Sequence, residues 1–186
     1  ESRKCFRLSC FYTFLISLDR SAFRQVPYLQ IISTDLNCYF YKNIAPLKSL
    51  LNAQHIQLTI KRLANQILEN HIDSEKTVLI GIQPRGIFLS DRIAREIQEE
   101  KGGSVFPYGK LDITFYRDDV REEFHVANTT NIPFSIEGKK VILIDDVLYT
   151  GRTIRAALDA LQDFGRPQKV ELCVLVDRRF NRELPI

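Results

Sequence analysis

The chain contains no methionine, and its first residue is Glu1 rather than a start residue. That absence suggests a fragment, a non-standard start, or a conceptual translation begun upstream of the natural one. The four cysteines stand at 5, 10, 38 and 173, with no C-x-x-C pair and no neighbouring histidine cluster. Neither a zinc site nor a disulfide framework is indicated, and a reducing cytoplasm is the expected compartment. No apolar run reaches the length of a membrane-spanning helix. There is no G-x-x-x-x-G-K-[ST], no G-x-G-x-x-G after a strand, no H-E-x-x-H and no G-x-S-x-G, so nucleoside triphosphatase, dinucleotide-binding, zinc-protease and serine-hydrolase chemistries lack their signatures. Repeats and low-complexity segments are missing as well. The 186 residues, 45% hydrophobic and 26% charged, suit one soluble globular domain. A net charge of +3 permits an anionic substrate or RNA without arguing for either.

The most informative stretch is 141–153, V-I-L-I-D-D-V-L-Y-T-G-R-T. Val141, Ile142, Leu143 and Ile144 form the unbroken apolar run of a strand buried on both faces, and therefore of a parallel sheet. The pattern predicts that the strand ends at the acid pair Asp145 and Asp146. A loop of Tyr149, Thr150, Gly151, Arg152 and Thr153 then leads to a helix through Ile154, Ala157, Leu158, Leu161 and Phe164, stopped by Gly165 and Pro167. Free backbone N–H groups at that helix start, with the Thr150 and Thr153 hydroxyls, form a donor set for a phosphate, and Gly151 lets the backbone approach it. Two adjacent carboxylates would repel a bare phosphate; they suit sugar hydroxyls or Mg²⁺. The ligand implied is a phosphorylated sugar.

Further signals are regular from Leu47 onward. Ile56, Ile60, Leu63, Ile67 and Leu68 predict an amphipathic helix, and Thr77–Ile82 a buried strand. Gln83-Pro84-Arg85-Gly86 makes a turn into a second helix carrying Ile87, Leu89, Ile93, Ala94 and Ile97, and 111–115 alternates as a strand. Residues 116–138 hold no core pattern, and a connection of that length is functional or disordered. Residues 170–176 give the last strand. Alternating strands and helices make an α/β domain with a mainly parallel sheet. Its ligands collect beyond the carboxyl ends of the strands, where Arg85 would hold a pyrophosphate beside Asp145 and Asp146.

The segment D-D-V-L-Y-T-G-R-T resembles the 5-phosphoribosyl-1-pyrophosphate (PRPP) motif of the type I phosphoribosyltransferases. Within them it is similar to the bifunctional pyrimidine operon attenuation regulators with uracil phosphoribosyltransferase activity, over about residues 47–186. The resemblance implies the type I fold, a mainly parallel central sheet flanked by helices, with a mobile loop and a small base-binding hood. It implies PRPP and UMP contacts at Pro84, Arg85, Gly86, Asp145, Asp146, Val147, Leu148, Tyr149, Thr150, Gly151, Arg152 and Thr153. Catalysis is expected from Asp145, Asp146 and Arg117, the last within a Tyr116-Arg117-Asp118-Asp119 sequence like that opening the family's mobile loop. The charged residues that follow (Arg121, Glu122, Glu123) and His125 read as a solvated loop. The hood would include Val176, Asp177 and Arg178. Mg²⁺ is the implied cofactor, carried by PRPP and the acid pair.

The implied activity is uracil phosphoribosyltransferase, a pyrimidine-salvage reaction yielding UMP and pyrophosphate. The implied second role is UMP-responsive RNA binding that attenuates transcription of pyrimidine genes, with Lys61, Arg62, Arg179 and Arg182 as candidate RNA contacts and a leader mRNA as partner. Alternatives are a nucleotide-sensing regulator with little catalysis, or a phosphoribosyltransferase for another base. A homodimer or higher homo-oligomer is expected. Residues 1–46, with scattered aromatics, no sustained period and a poor imitation of a signal peptide, read as an extension outside the native fold; 47–186 reads as the catalytic domain, cut short at its C-terminus.

Overall fold

The computed structural model describes residues 9–13, 51–73, 75–102, 106–117 and 129–186. Among these residues are five strands, β1 (Ser9–Thr13), β2 (Thr77–Ile82), β3 (Tyr108–Leu111), β4 (Lys140–Leu148) and β5 (Lys169–Asp177), with helix α1 (Ala53–Asn70) before β2, α2 (Gly86–Lys101) between β2 and β3, and α3 (Arg152–Leu161) between β4 and β5. They form one parallel sheet in the order β1-β5-β4-β2-β3. Ser9–Thr13, inside the stretch that the sequence sets outside the fold, lies as an edge strand along β5.

The unbroken apolar runs of β2 and β4 follow from helices on both faces. Val141 and Leu143 join Val78, Ile80, Ile154, Ala157 and Leu161 in a core beneath α3. The alternate residues Ile142 and Ile144 join Leu79, Ile60, Leu63, Ile67, Ile93 and Ile97 beneath α1 and α2. Each of the α1 side chains Ile60, Leu63 and Ile67 is at most 1% exposed, a burial that stabilises by roughly 1.5–3 kcal/mol per residue. Asn52 caps α1 by accepting from the His55 N–H at 2.8 Å, and Gly102 ends α2 in the left-handed region at φ 63°.

Three predicted boundaries move. β4 continues through Asp145 and Asp146 to Leu148, because β5 extends alongside and pairs Asp145 with Val174, Val147 with Val176 and Leu148 with Asp177. The strand expected at 111–115 is instead β3 at Tyr108–Leu111 followed by a 3-10 turn, Thr114–Tyr116. The Asp112 carboxylate accepts from the Thr114 N–H (2.8 Å) and hydroxyl (2.6 Å), a local turn that competes with strand extension. α3 stops at Leu161, leaving Phe164 outside it and exposed.

A buried polar cluster ties the amino end of β5 to the end of α1. His71 Nε2 lies 3.0 Å from Glu171 Oε2, and Lys169 Nζ lies 2.7 Å from Glu171 Oε1. Burial, outweighing the attraction of Glu171, lowers the His71 pKa, so a neutral imidazole donates the hydrogen bond while Lys169 balances the charge. His71→Ala strands part of a buried carboxylate, and urea denaturation is expected to show a loss of about 2–4 kcal/mol. A cavity of about 240 Å³ opens beside it, lined by Asn70, His71, Asp73, Lys76, Thr77 and Lys140, at the amino ends of β2 and β4 and away from the acid pair.

Candidate active site

The carboxyl ends of β2, β4 and β5 bring the two principal sequence motifs together. After β2 the chain turns through a cis Gln83–Pro84 peptide, with the Gln83 N–H bonded to Leu111 O (2.9 Å) and its side-chain amide to Thr129 O (3.0 Å). The first bond ties the turn to the end of β3 and the second to the segment at 129–131, where Asn131 pairs with Lys110. Pro84 is exposed and Arg85 opens α2. The Arg85 guanidinium reaches Asp146 Oδ2 at 3.5 Å, and its side chain is 65% exposed, so the charge remains available to an anion.

Gly86 permits this meeting of α2 with β4. A Cβ there would lie 2.6 Å from Ile144 O and 3.1 Å from both Asp145 Cα and Asp145 Oδ1. The start of α2 is therefore pressed on the backbone of the acid pair. Neither N-cap residue, Arg85 of α2 nor Gly151 of α3, makes a side-chain hydrogen bond to its helix, and a helix start of that kind suits an anion.

The two aspartates occupy different environments. Asp145 is buried and its Oδ1 accepts the Asp146 N–H at 2.9 Å; Asp146 is half-buried and its Oδ1 accepts the Val147 N–H at 2.7 Å. Burial, reinforced by the neighbouring Asp146 charge, raises the Asp145 pKa from 3.8 to about 7. Between those values the native state holds a proton that the unfolded chain has released, so this group's contribution to stability declines as pH rises across that window. Asp145→Asn is expected to raise Tm above the parent's at pH 8, with the difference shrinking toward pH 4 in a calorimetric series.

Leu148 is buried, Val147 half-buried, and the exposed Tyr149 leads into the phosphate-type loop. Gly151 caps α3 at φ 94°, a conformation that favours glycine. A Cβ on it would lie 2.9 Å from Ile186 Cδ1. The Arg152 N–H points at Thr150 Oγ1 (3.4 Å), its side chain pairs with Glu183 (2.7 Å), and Thr153 is half-buried in the first turn. Val176, Asp177 and Arg178 run alongside, with the Arg178 guanidinium 3.9 Å above the Tyr149 ring and the Arg178 backbone N–H donating to Leu148 O.

Arg117 is half-buried just after the 3-10 turn, whose Tyr116 hydroxyl donates to Asp163 beyond α3. Asp118, Asp119, Arg121, Glu122, Glu123 and His125 lie outside the described residues. Lys61 and Arg62 are exposed on α1, whereas Arg179 and Arg182 both pair with Asp177, at 3.4 and 2.5 Å. The sequence pattern does not single out Asp112, Asp163 or Glu183: Asp112 acts on Thr114 within its own turn, whereas Asp163 and Glu183 act through contacts distant in sequence that leave no local signal. Among the described residues no group of three or more His, Cys, Asp or Glu is arranged to hold a metal. The adjacent Asp145 and Asp146 oxygens do suit Mg²⁺, which takes one or two carboxylates together with substrate phosphates. No helix among the described residues is long and apolar enough to cross a membrane.

Residues 46–185 match the phosphoribosyl transferase domain family. The chain is 50% identical over 141 residues to the bifunctional protein PyrR of Elusimicrobium minutum, covering 75% of this chain and 78% of that one. It is 48% identical over 142 residues to the Enterococcus faecalis protein of that name, covering 76% and 79%. The crystal structure of a Staphylococcus aureus hypoxanthine phosphoribosyltransferase aligns with a TM-score of 0.60 at 23% identity, over 75% of this chain and 72% of that one.

Proposed function

The chain belongs to the phosphoribosyl transferase domain family, and from that premise we propose that it transfers the ribosyl 5-phosphate of PRPP to N1 of uracil, giving UMP and pyrophosphate. One observation carries the reading. A buried and a half-buried carboxylate, an exposed guanidinium 3.5 Å from the outer one, and two helix starts whose N-cap residues make no side-chain hydrogen bond converge at the carboxyl ends of neighbouring parallel strands.

The first turn of α3 with Thr150, Gly151, Arg152 and Thr153 anchors the 5-phosphate. Asp145 and Asp146 accept from the ribose hydroxyls, and their negative charge favours the positive charge that builds on the ribose as the C1–pyrophosphate bond lengthens. Arg85 and Arg117 receive the departing pyrophosphate, while Val176, Asp177 and Arg178 present the base. Uracil N1 forms the new bond to C1 and gives up its proton. Catalysis here is positioning and charge stabilisation. Mg²⁺, held by Asp145 or Asp146 together with PRPP oxygens, would supply charge neutralisation of the diphosphate.

On the same reading the protein works in the cytoplasm as a homodimer or larger homo-oligomer. Its second role is that of a UMP-responsive RNA-binding attenuator of pyrimidine genes. The name "bifunctional protein PyrR" carried by relatives near 50% identity supports it. The exposed Lys61 and Arg62 on α1 are the basic side chains assigned to a leader RNA. Two assays test the halves separately. Uracil-dependent release of pyrophosphate from PRPP, abolished by a Mg²⁺ chelator, is expected of the enzyme, and its absence removes that half. Filter binding of the pyrimidine leader transcript should tighten on adding UMP and weaken with Lys61→Ala/Arg62→Ala; equal binding with and without UMP removes the regulator.

A further inference from the structure

The segment after β5 is laced to the phosphate loop by contacts that neither binding nor catalysis, as described above, uses. Arg182 Nη1 donates to the backbone carbonyl of Tyr149 at 2.6 Å, and its Nη2 lies 2.5 Å from Asp177 Oδ1. The side chains of this pair are 19% and 9% exposed. The Glu183 and Leu184 N–H groups both bond to Thr150 O, at 3.0 and 3.1 Å, and the Arg152 side chain closes on Glu183. One guanidinium thus spans from the loop assigned to the 5-phosphate to the strand end assigned to the base. Its planar fork suits the task, because it bonds two acceptors at a fixed separation.

The loop needs such a restraint. Tyr149 and Thr150 lie between the end of β4 and a left-handed Gly151, outside both strand ladder and helix. Transfer requires N1 and C1 to meet at near-attack distance, and a displacement of about 1 Å can cost roughly 100-fold in rate. We propose that Arg182 is a positioning residue that clamps the phosphate loop to the end of β5 and so sets the distance between the ribosyl and base subsites. The inference rests on the phosphoribosyltransferase reading.

The test compares two ligands. Ribose 5-phosphate occupies the phosphate and sugar subsites alone, whereas UMP spans them and the base subsite. Isothermal titration of both into the full chain, parent and Arg182→Ala, should show UMP affinity falling about tenfold or more, as for loss of a desolvated charged hydrogen bond. Ribose 5-phosphate affinity should stay within about twofold, because its contacts lie on the loop side of the clamp. Arg182→Lys retains charge but not the fork; it should fall between the two and carries the test if Arg182→Ala does not fold. In steady state both variants should lose kcat and raise the KM for uracil. Unchanged affinity for both ligands overturns the clamp, and so does an equal loss of both, which marks a general structural role. A parent chain that binds neither ligand overturns the phosphoribosyltransferase reading itself and the clamp with it.

Discussion

Replacing Asp145 and Asp146 together by Asn is expected to lower uracil phosphoribosyl transfer by roughly 10²–10³-fold, in the range seen when one preorganised electrostatic contact to a transition state is removed. The cause is the loss of negative charge beside the ribose while positive charge develops there. Asn keeps the volume and much of the hydrogen bonding, so β4 and its pairing with β5 should persist. Stability should not fall with activity. Asp145 is strained electrostatically by burial and by its neighbour, and its neutral replacement relieves that strain at pH 8. A variant that is at least as stable as the parent yet almost inactive marks a site held against the protein's own stability optimum. Steady-state turnover with a parallel thermal melt checks both parts; near-normal turnover removes the acid pair from the mechanism.

Gly86→Ala is expected to damage both packing and catalysis, because the methyl has a backbone atom in its way. The added Cβ would stand 2.6 Å from the Ile144 carbonyl oxygen, a backbone atom in the central strand β4. That oxygen and Asp145 Cα, at 3.1 Å, are backbone atoms that cannot rotate away, so α2 must move off the sheet. Overpacking of that kind costs about 1–3 kcal/mol. The larger consequence is chemical, since α2 carries Arg85 at its start and abuts Asp145. A shift near 1 Å there should lower kcat/KM for PRPP by roughly 100-fold. Gly102→Ala is the control: its φ of 63° also resists a side chain, but no atom lies within 4 Å of the new methyl. It should cost about 1 kcal/mol and leave kinetics untouched. Equal kinetic effects of the two substitutions would dissociate the glycine from the site.

Much of this arrangement is legible in the sequence because it rests on local pattern. The apolar run 141–144 can satisfy two cores only inside a doubly covered sheet, and the turns at Gln83–Gly86 and Tyr149–Thr153 mark strand-to-helix junctions where such a sheet binds ligands. What escaped depends on partners distant in the chain. The persistence of β4 through Asp145 and Asp146 is imposed by β5, whose Val174 pairs with Asp145 from far along the chain, and two acidic residues read locally as a strand end. The turn at Thr114 overrides an alternating pattern because the Asp112 side chain captures the backbone. Arg182 reads as a surface cation, and its commitment to Tyr149 and Asp177 becomes visible only when the end of β5 lies beside the phosphate loop.

Base choice tests the account most directly. The 186-residue chain, incubated with PRPP, Mg²⁺ and radiolabelled uracil, and in parallel with hypoxanthine, guanine or orotate, is expected to form UMP from uracil and no nucleotide from the other three. Conversion of a purine or orotate in preference to uracil, or of no base by a chain that binds PRPP, would contradict it.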